Sequence, residues 1–327
     1  MTQRTEGPLV SIVTPVLNRA SSIRACLASV ASQTYHPMEH LIVDGGSSDG
    51  TLEIVREFES DVPRRWVSEP DEGMYDAINK GLRLAKGTIL GYVNSDDAYL
   101  PWSVEVAVEQ LEKGPDLLFG DLGVLHDETT TTSFYIQFYP DFDLAHYTHV
   151  ATIGQPTVFW RRSLMERIGL FDDSYRLIGD CEYWLRAAVA GANVEHVDEV
   201  LAVQTEHSET LRARYAPALT DEFTRLRARY AVHSDPPGWP LLQRLKKSLV
   251  WRQRQLQFRR ALRRSRPDRW PRFIDFLRRR SIQIDHRAMT MFMLPERFRP
   301  ARSPWGDMHE FARRLMDEIG APADSPY

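Results

Sequence analysis

The chain has 327 residues and a mass of 37.7 kDa, enough for one large α/β domain with an appendage or for two modest domains. Hydrophobic residues make up 43% and charged residues 26%, which excludes a disordered or collagen-like chain. The net charge of -4 conceals a division, because residues 241–280 hold 15 Lys and Arg against only Asp268 and Asp275. An acidic body therefore carries a strongly basic segment, which bears on partners rather than on fold. Two cysteines, Cys26 and Cys181, cannot build a disulfide framework and point to a reducing compartment. The first residues, MTQRTEGP, lack a signal core, and no apolar run reaches the roughly 20 residues of a membrane span. A cytoplasmic chain is the expectation.

Along the first 120 residues apolar strands alternate with amphipathic helices. Leu9–Thr14 is a short apolar run, and Ser22 is placed to cap a helix with Ile23, Cys26, Leu27 and Val30 on one face. His40–Val43 follows and runs into Asp44-Gly-Gly-Ser-Ser-Asp-Gly, a turn-rich loop. The pattern then predicts a helix over Thr51–Glu59, a strand over Arg64–Ser68, a helix over Tyr75–Ala85 and a strand over Thr88–Val93. That strand meets Asn94-Ser-Asp-Asp97. Another helix is expected after Pro101 and a fifth strand at Asp116–Gly120. Such alternation implies a mostly parallel sheet with helices on both faces, whose ligands bind beyond the carboxyl ends of the strands. Both acidic loops fall there.

From about His126 to Tyr147 threonines and aromatics suggest a hairpin or flap. Beyond it Thr157–Trp160 reads as a strand, Ser163–Ile168 and Asp180–Ala190 as helices, Val200–Gln204 as a strand and Leu219–Tyr230 as a closing helix. Pro236-Pro237-Gly238 marks a boundary, and the remainder reads as helical and Arg-rich.

The chemistry narrows by elimination and by charge. The first strand–helix turn, Thr14-Pro-Val-Leu-Asn-Arg-Ala-Ser, has no glycine to admit a pyrophosphate, and neither a Walker A sequence nor a Gly-x-Ser-x-Gly elbow occurs. NAD enzymes, P-loop ATPases and α/β-hydrolases fit poorly. Asp96-Asp97, following an apolar strand, concentrates charge that must be solvated, hydrogen-bonded or met by a cation. Such oxygen ligands suit Mg²⁺ or Mn²⁺, while the plainer possibility is an Asp-rich turn capping the next helix. His36 and His40 flank Pro37 and cannot share a helical face, which argues against a metal there; His146 and His149 read as loop or packing residues, and Cys181 has no apparent histidine–acid partner.

Several segments occur in a telling order: Ser11-Ile-Val-Thr-Pro-Val-Leu-Asn-Arg, Asp44-Gly-Gly-Ser-Ser-Asp-Gly-Thr and Ser68-Glu-Pro-Asp-Glu-Gly-Met-Tyr-Asp-Ala-Ile-Asn-Lys-Gly81. They continue with Asn94-Ser-Asp-Asp97, Gln155-Pro-Thr-Val-Phe-Trp-Arg-Arg-Ser-Leu and Gly179-Asp-Cys-Glu-Tyr-Trp-Leu-Arg186. Over about residues 8–210 this set resembles the family 2 glycosyltransferases of GT-A fold, in their non-processive, envelope or exopolysaccharide type. The resemblance implies a GT-A domain over 1–235, with a nucleotide-sugar half at about 8–120 and an acceptor half at 121–235, and a basic helical extension over 236–327. It implies Pro15 and Asp44 beside the nucleotide base, and Asp71, Asn79 and Lys80 among the substrate-binding residues, although a solvated face accounts for Lys80 as well. Asp96 would contact the ribose or the metal, Asp97 and His207 would hold Mn²⁺ or Mg²⁺, and Asp180 would be the catalytic base, unless it simply caps its helix.

The implied reaction is inverting transfer of one sugar from a nucleotide-sugar donor, a UDP-sugar by family default, to a glycan or lipid-linked acceptor. Two departures stand out. Gly179 replaces the family's frequent Glu before the base, which leaves room for an inactive scaffold that still binds nucleotide or glycan. The Gln-x-x-Arg-Trp motif of the processive synthases is absent. In the basic segment Leu242, Leu245, Leu249 and Leu256 recur at roughly helical spacing; this suits a helix on an anionic membrane surface, with packing on the acidic body as the alternative. No motif for nucleic acid accompanies the charge.

Overall fold

A computed structural model describes residues 7–127, 132–137, 139, 141–148, 151–206 and 216–230. The chain begins with β1 (Val10–Val16), α1 (Ile23–Ala31), β2 (Met38–Asp44), α2 (Thr51–Glu57), β3 (Arg64–Ser68), α3 (Met74–Leu84) and β4 (Ile89–Tyr92). These are the predicted strand–helix alternations, displaced by one or two residues at their ends. β1, β2 and β4 are buried along their whole length, as continuous apolar runs in a parallel sheet covered on both faces should be. Ser22 does not cap α1 through its side chain; the chain enters that helix through a tight turn in which Ser22 and Ile23 donate to the Arg19 carbonyl.

After β4 come β5 (Ala98–Tyr99), α4 (Ser103–Leu111), β6 (Leu117–Asp127), β7 (Thr132–Gln137), α5 (Leu144–Tyr147), β8 (Phe159–Arg161), α6 (Arg162–Ile168), α7 (Gly179–Val189), β9 (Val194–Glu206) and α8 (Ala216–Arg229). The strands of the described residues form one sheet in the order β3-β2-β1-β4-β8-β6-β9-β5, with β7 paired to β6. β3, β2, β1 and β4 are parallel, with Val10 and Val13 of β1 level with Ile89 and Tyr92 of β4. β8 runs antiparallel between β4 and β6, and β5 antiparallel to β9. The α/β sheet with helices on both faces is thus present, its parallel part built by the first 92 residues. β5, only two residues long, lies below what periodicity can register.

The Cα packing separates two units. The first comprises 1–122, 139–204 and 208–234; the second comprises 123–138, 205–207 and 235–327, of which the structure describes the end of β6 with β7 and the last residues of β9. The expected basic extension over 236–327 and the position of His207 lie outside the described residues.

Order in the parallel part sets the site. The chain steps outward from β1 to β2 to β3, then crosses back through α3 to β4 on the other side of β1. Neighbouring connections diverge where β1 meets β4, so a crevice opens beyond their carboxyl ends. Polar side chains inside this sheet are satisfied locally. Buried Glu39 accepts from Ser11 Oγ (2.7 Å), Lys86 N–H (2.7 Å) and Arg65 (2.8 Å). Burial raises its pKa, but these donors outweigh burial and hold it below the ordinary value. His40 Nε2 lies 2.9 Å from Thr14 Oγ1 in the sheet interior, which makes it a core residue rather than a ligand.

Burial, aided by the Arg64 charge, pulls the His40 pKa down from 6.5 to about 3. The imidazole is neutral in the fold, whereas the unfolded chain takes up a proton near pH 6.5. His40 therefore supports the fold fully above pH 6.5 and progressively less as pH falls toward 3, by up to about 1.4 kcal/mol per unit. Urea unfolding should show His40→Gln less dependent on pH than wild type between pH 7 and 5. Equal slopes would remove His40 as the source.

Candidate active site

Two loops at the carboxyl ends of β1 and β2 are zipped together by side chains. Asn18 N–H donates to Ser47 Oγ (2.8 Å), Ser48 N–H to Asn18 Oδ1 (2.9 Å), Arg19 N–H to Thr51 Oγ1 (2.8 Å) and Ala20 N–H to Asp49 Oδ2 (3.0 Å). Asp44 is fully buried at the root of this pair. Its carboxylate accepts from Gly46 N–H, Ser47 N–H, Ser47 Oγ and, at 2.7 Å, Ser68 Oγ of β3. That bonding makes Asp44 the anchor of the loop at the carboxyl end of β2, the place where the base contact is expected of it. Asp71 lies over the same loop. A Cβ on Gly45 would sit 2.3 Å from Asp71 Oδ2 and 3.5 Å from Leu17 Cδ1. Burial raises the pKa of Asp71, and Asp76 and Asp44 add to that rise against the Gly73 N–H and Lys80. Pro15 is buried beside Val43 of β2, past the point where β4 stops pairing with β1. A missing N–H costs no ladder bond to β4 there.

The loop after β4 carries Asp96 and Asp97. Asp97 is 2% exposed, accepts from Asn94 Nδ2 at 3.2 Å, and donates its N–H to the Asn94 carbonyl. It does not cap the following helix, which starts at Ser103 with Trp102 at its N-cap. Arg19 Nε reaches to 3.8 Å from Asp96 Oδ2. Gln155 ties the loop down, accepting from Asn94 Nδ2 (3.0 Å) and donating to the Tyr92 carbonyl (3.1 Å). One polar atom is left over: Asn94 Oδ1 is buried and makes no hydrogen bond among the described residues. Two carboxylates and an orphaned amide oxygen form an all-oxygen donor set, which fits a hard divalent cation. Among the described residues no three His, Cys, Asp or Glu side chains gather closely enough to enclose one.

Asp180 stands in the first turn of α7, half-buried, and is not its N-cap, which is Ile178. Its Oδ1 accepts from Cys181 N–H (2.8 Å) and from Tyr75 Oη–H (3.1 Å) on α3. Burial raises the phenol pKa of Tyr75, Tyr92 and Tyr147 well above 10, and the nearby Asp180 charge adds to the rise in each. Tyr92 ends β4, and its carbonyl is held by the same Gln155 that binds Asn94. Tyr92 thus lies within the field of Asp180 through its phenol and is joined to the Asp96-Asp97 loop through its carbonyl. The approach to α7 is fixed from the other side by Glu222 of α8, whose carboxylate accepts from the N–H groups of Arg176, Leu177 and Ile178 at 2.7, 3.0 and 3.1 Å.

Two of the expected substrate residues do other work. Asn79 is 2% exposed, and its amide clamps the backbone of Phe171, Nδ2 donating to the carbonyl (2.9 Å) and Oδ1 accepting from the N–H (3.0 Å). Lys80 directs its ammonium at the Pro70 carbonyl (2.8 Å), Glu69 (3.2 Å) and Asp76 (3.3 Å), which can engage all three N–H donors without a phosphate. Arg19, Gln155 and Tyr75 are the residues that sequence reasoning passed over. Tyr75 could have been found by its helical spacing, four residues before Asn79 on the face that meets the second half of the chain.

The sequence profile described as Glycosyl transferase family 2 matches residues 11–169. A PGL/p-HBAD biosynthesis glycosyltransferase of Mycobacterium tuberculosis is 34% identical over 185 residues, which span 55% of this chain and 70% of that protein. The chain belongs to glycosyl transferase family 2. Glycosyltransferase AglE of Haloferax volcanii is 28% identical over 200 residues, covering 59% of this chain and 66% of its own length. Among solved structures, S. aureus TarS 1-349 in complex with UDP-GlcNAc shares the fold with a TM-score of 0.55 at 19% identity, over 95% of this chain and 89% of that one. A mannosyltransferase of Pyrobaculum calidifontis in complex with GDP-Man and Mn²⁺ gives 0.53 at 22% identity, over 79% and 76%. The fold is therefore GT-A, and the protein is a glycosyltransferase.

The Asn79 clamp makes a prediction that separates it from a substrate ligand. Asn79→Ala strands two buried backbone groups and should cost about 2 kcal/mol of stability, read from urea midpoints. Donor affinity of the folded variant should stay within about twofold of wild type; a selective loss of donor binding with unchanged stability would restore the ligand role.

Proposed function

We propose that this glycosyltransferase moves a single sugar, with inversion, from a nucleotide-sugar donor to a glycan or lipid-linked hydroxyl in envelope or exopolysaccharide synthesis, and that it needs Mn²⁺ or Mg²⁺. The observation that carries the proposal is that Tyr92, at the carboxyl end of β4, feels the Asp180 charge while its carbonyl is bonded to Gln155, which also holds Asn94 of the Asp96-Asp97 loop. The donor's nucleoside lies over the loops after β1 and β2, where half-exposed Leu17 offers an apolar surface and Pro15, Asp71 and the backbone of Gly45 flank it. Asp44 acts there by shaping the loop. A UDP-sugar is the donor we favour, in keeping with the UDP-GlcNAc held by the structurally similar TarS.

Asp97, Asp96 and Asn94 Oδ1 would hold the divalent ion, which when bound stabilises the charge that develops on the departing diphosphate. His207 is proposed as a further ligand. Asp180 takes the proton of the acceptor hydroxyl as that oxygen attacks the anomeric carbon. Direct attack by the acceptor inverts that centre. Arg19 balances the Asp96 charge at the mouth of the crevice. A hollow lined by Tyr147, Cys181, Leu185, Phe223 and Leu226 opens beside α7 and offers apolar surface near the base.

Asp180→Asn should bind nucleotide sugar normally and lose transfer by about 10²–10⁴-fold, the range for a positioned general base. Asp97→Ala should lose the Mn²⁺ dependence of donor binding in calorimetry. Near-normal transfer by either variant would sink its assigned role.

We also propose that residues 241–280 place the enzyme on the cytoplasmic face of an anionic membrane. Supporting this is their charge, and no described helix is long and apolar enough to cross a membrane itself. With each near-surface cation contributing about 1 kcal/mol, replacing Arg259, Arg260, Arg263 and Arg264 by Gln should sharply reduce flotation with phosphatidylserine vesicles. Equal flotation of both proteins would remove the membrane role.

A further inference from the structure

We propose that Tyr75 is the positioning residue for the Asp180 carboxylate, and that position 179 is glycine because the Tyr75 ring fills the space a side chain there would occupy. The inference rests on Asp180 being the base proposed above, and it adds to that reading the source of the base's orientation and strength.

Three observations converge. Tyr75 Oη donates to Asp180 Oδ1 at 3.1 Å, joining the Cys181 N–H on the same oxygen. The ring lies so close over Gly179 that an added Cβ would sit 2.8 Å from Cε2 and 2.9 Å from Cδ2. The ring is also immobilised: it is 2% exposed and stacks on Phe171 with centroids 5.8 Å apart and planes 15° from parallel. Phe171 in turn is clamped at both backbone groups by Asn79, one turn along α3 from Tyr75. A single helix thus supplies both the donor to the base and the brace that holds the donor's ring.

The chemistry follows from the direction of this bond. Burial, reinforced by the Asp180 charge, keeps the Tyr75 phenol protonated through the working pH range, so it donates and does not exchange its proton with the acceptor. A donor to a carboxylate stabilises the ionised form. Tyr75 therefore keeps Asp180 deprotonated at a lower pH than the bare site would, and fixes the plane in which the carboxylate meets the incoming hydroxyl.

The test is the pH profile of kcat/KM for sugar transfer at saturating donor. Tyr75→Phe keeps the ring and removes the hydroxyl, so its acid limb should move up by about one pH unit, with rates above the limb returning to within a few-fold of wild type. Gly179→Ala displaces the ring and should move the limb the same way, and the double variant should go no further than the larger single shift. A uniform loss at every pH in Tyr75→Phe, or additive shifts in the double variant, would make Tyr75 a packing residue and overturn the proposal. Asp180→Asn separates the two readings. If it transfers at near wild-type rate, the base assignment itself fails; if it is inactive while Tyr75→Phe and Gly179→Ala leave the acid limb in place, the base stands and only the role of Tyr75 falls.

Discussion

The structure is organised by the cost of holding carboxylates against the dry edge of a sheet. Asp44 is fully buried, Asp97 nearly so, and Asp71 and Asp180 are half-buried, all next to strands made of Val, Ile and Leu. A buried ionised group is tolerated only when hydrogen bonds or a counter-charge replace its water. Each site meets that condition differently. Asp44 is met by donors from its own loop and from Ser68, and becomes part of the scaffold. Asp180 is met by a backbone N–H and a phenol. At Asp97 the neighbouring Asn94 gives one amide hydrogen and keeps a buried oxygen unsatisfied.

The carboxylates belong to separate segments, and α3 ties Asp180 to the sheet. This helix is the crossover between β3 and β4, so its outer end must lie over the switch point where β1 and β4 part. From its first two turns Tyr75 reaches Asp180 and Asn79 seizes Phe171. Phe171 then stacks on Tyr183 of α7 at 4.1 Å and meets Tyr92 and Trp160 edge-on. An aromatic cluster of this kind has few rotamers and little compressibility, so the position of α7, and of the carboxylate in its first turn, is fixed by packing before any substrate arrives. Glu182 and Arg186 lock the same helix from its far face, Glu182 fully buried and bonded to Arg186 and Tyr230.

Much of this was legible in the chain, and the divide is physical. Strands buried on both faces announce themselves as apolar runs, so β1, β2 and β4 are placed to within a residue or two, and the alternation places exposed β3 and the helices between them as closely. Acidic loops at strand ends follow from the alternation itself. What the sequence does not carry is partnership across long separations. Asn79 and Lys80 look like polar groups offered to a ligand until Phe171, 92 residues away from Asn79, and the Pro70 carbonyl claim them. Nothing local reveals that Ser68 will reach Asp44 from β3. The antiparallel strands of the second half are legible as strands but not as to direction, since the direction is decided by which neighbour each one meets.

Gly179 illustrates how a departure from a family pattern is to be weighed. Taken alone, the loss of a carboxylate beside the base suggests lost catalysis. In the fold the same position is crowded by a tyrosine ring that brings its own hydroxyl to Asp180. The glycine at 179 and the tyrosine at 75 are two halves of one arrangement, separated by more than a hundred residues and joined only in space. With no side chain at 179 the ring of Tyr75 comes close, and its hydroxyl joins the Cys181 N–H of α7 as a donor to Asp180. The departure is thus consistent with an active enzyme, because the quantity that matters is the set of donors around the carboxylate and not the identity of the residue that precedes it.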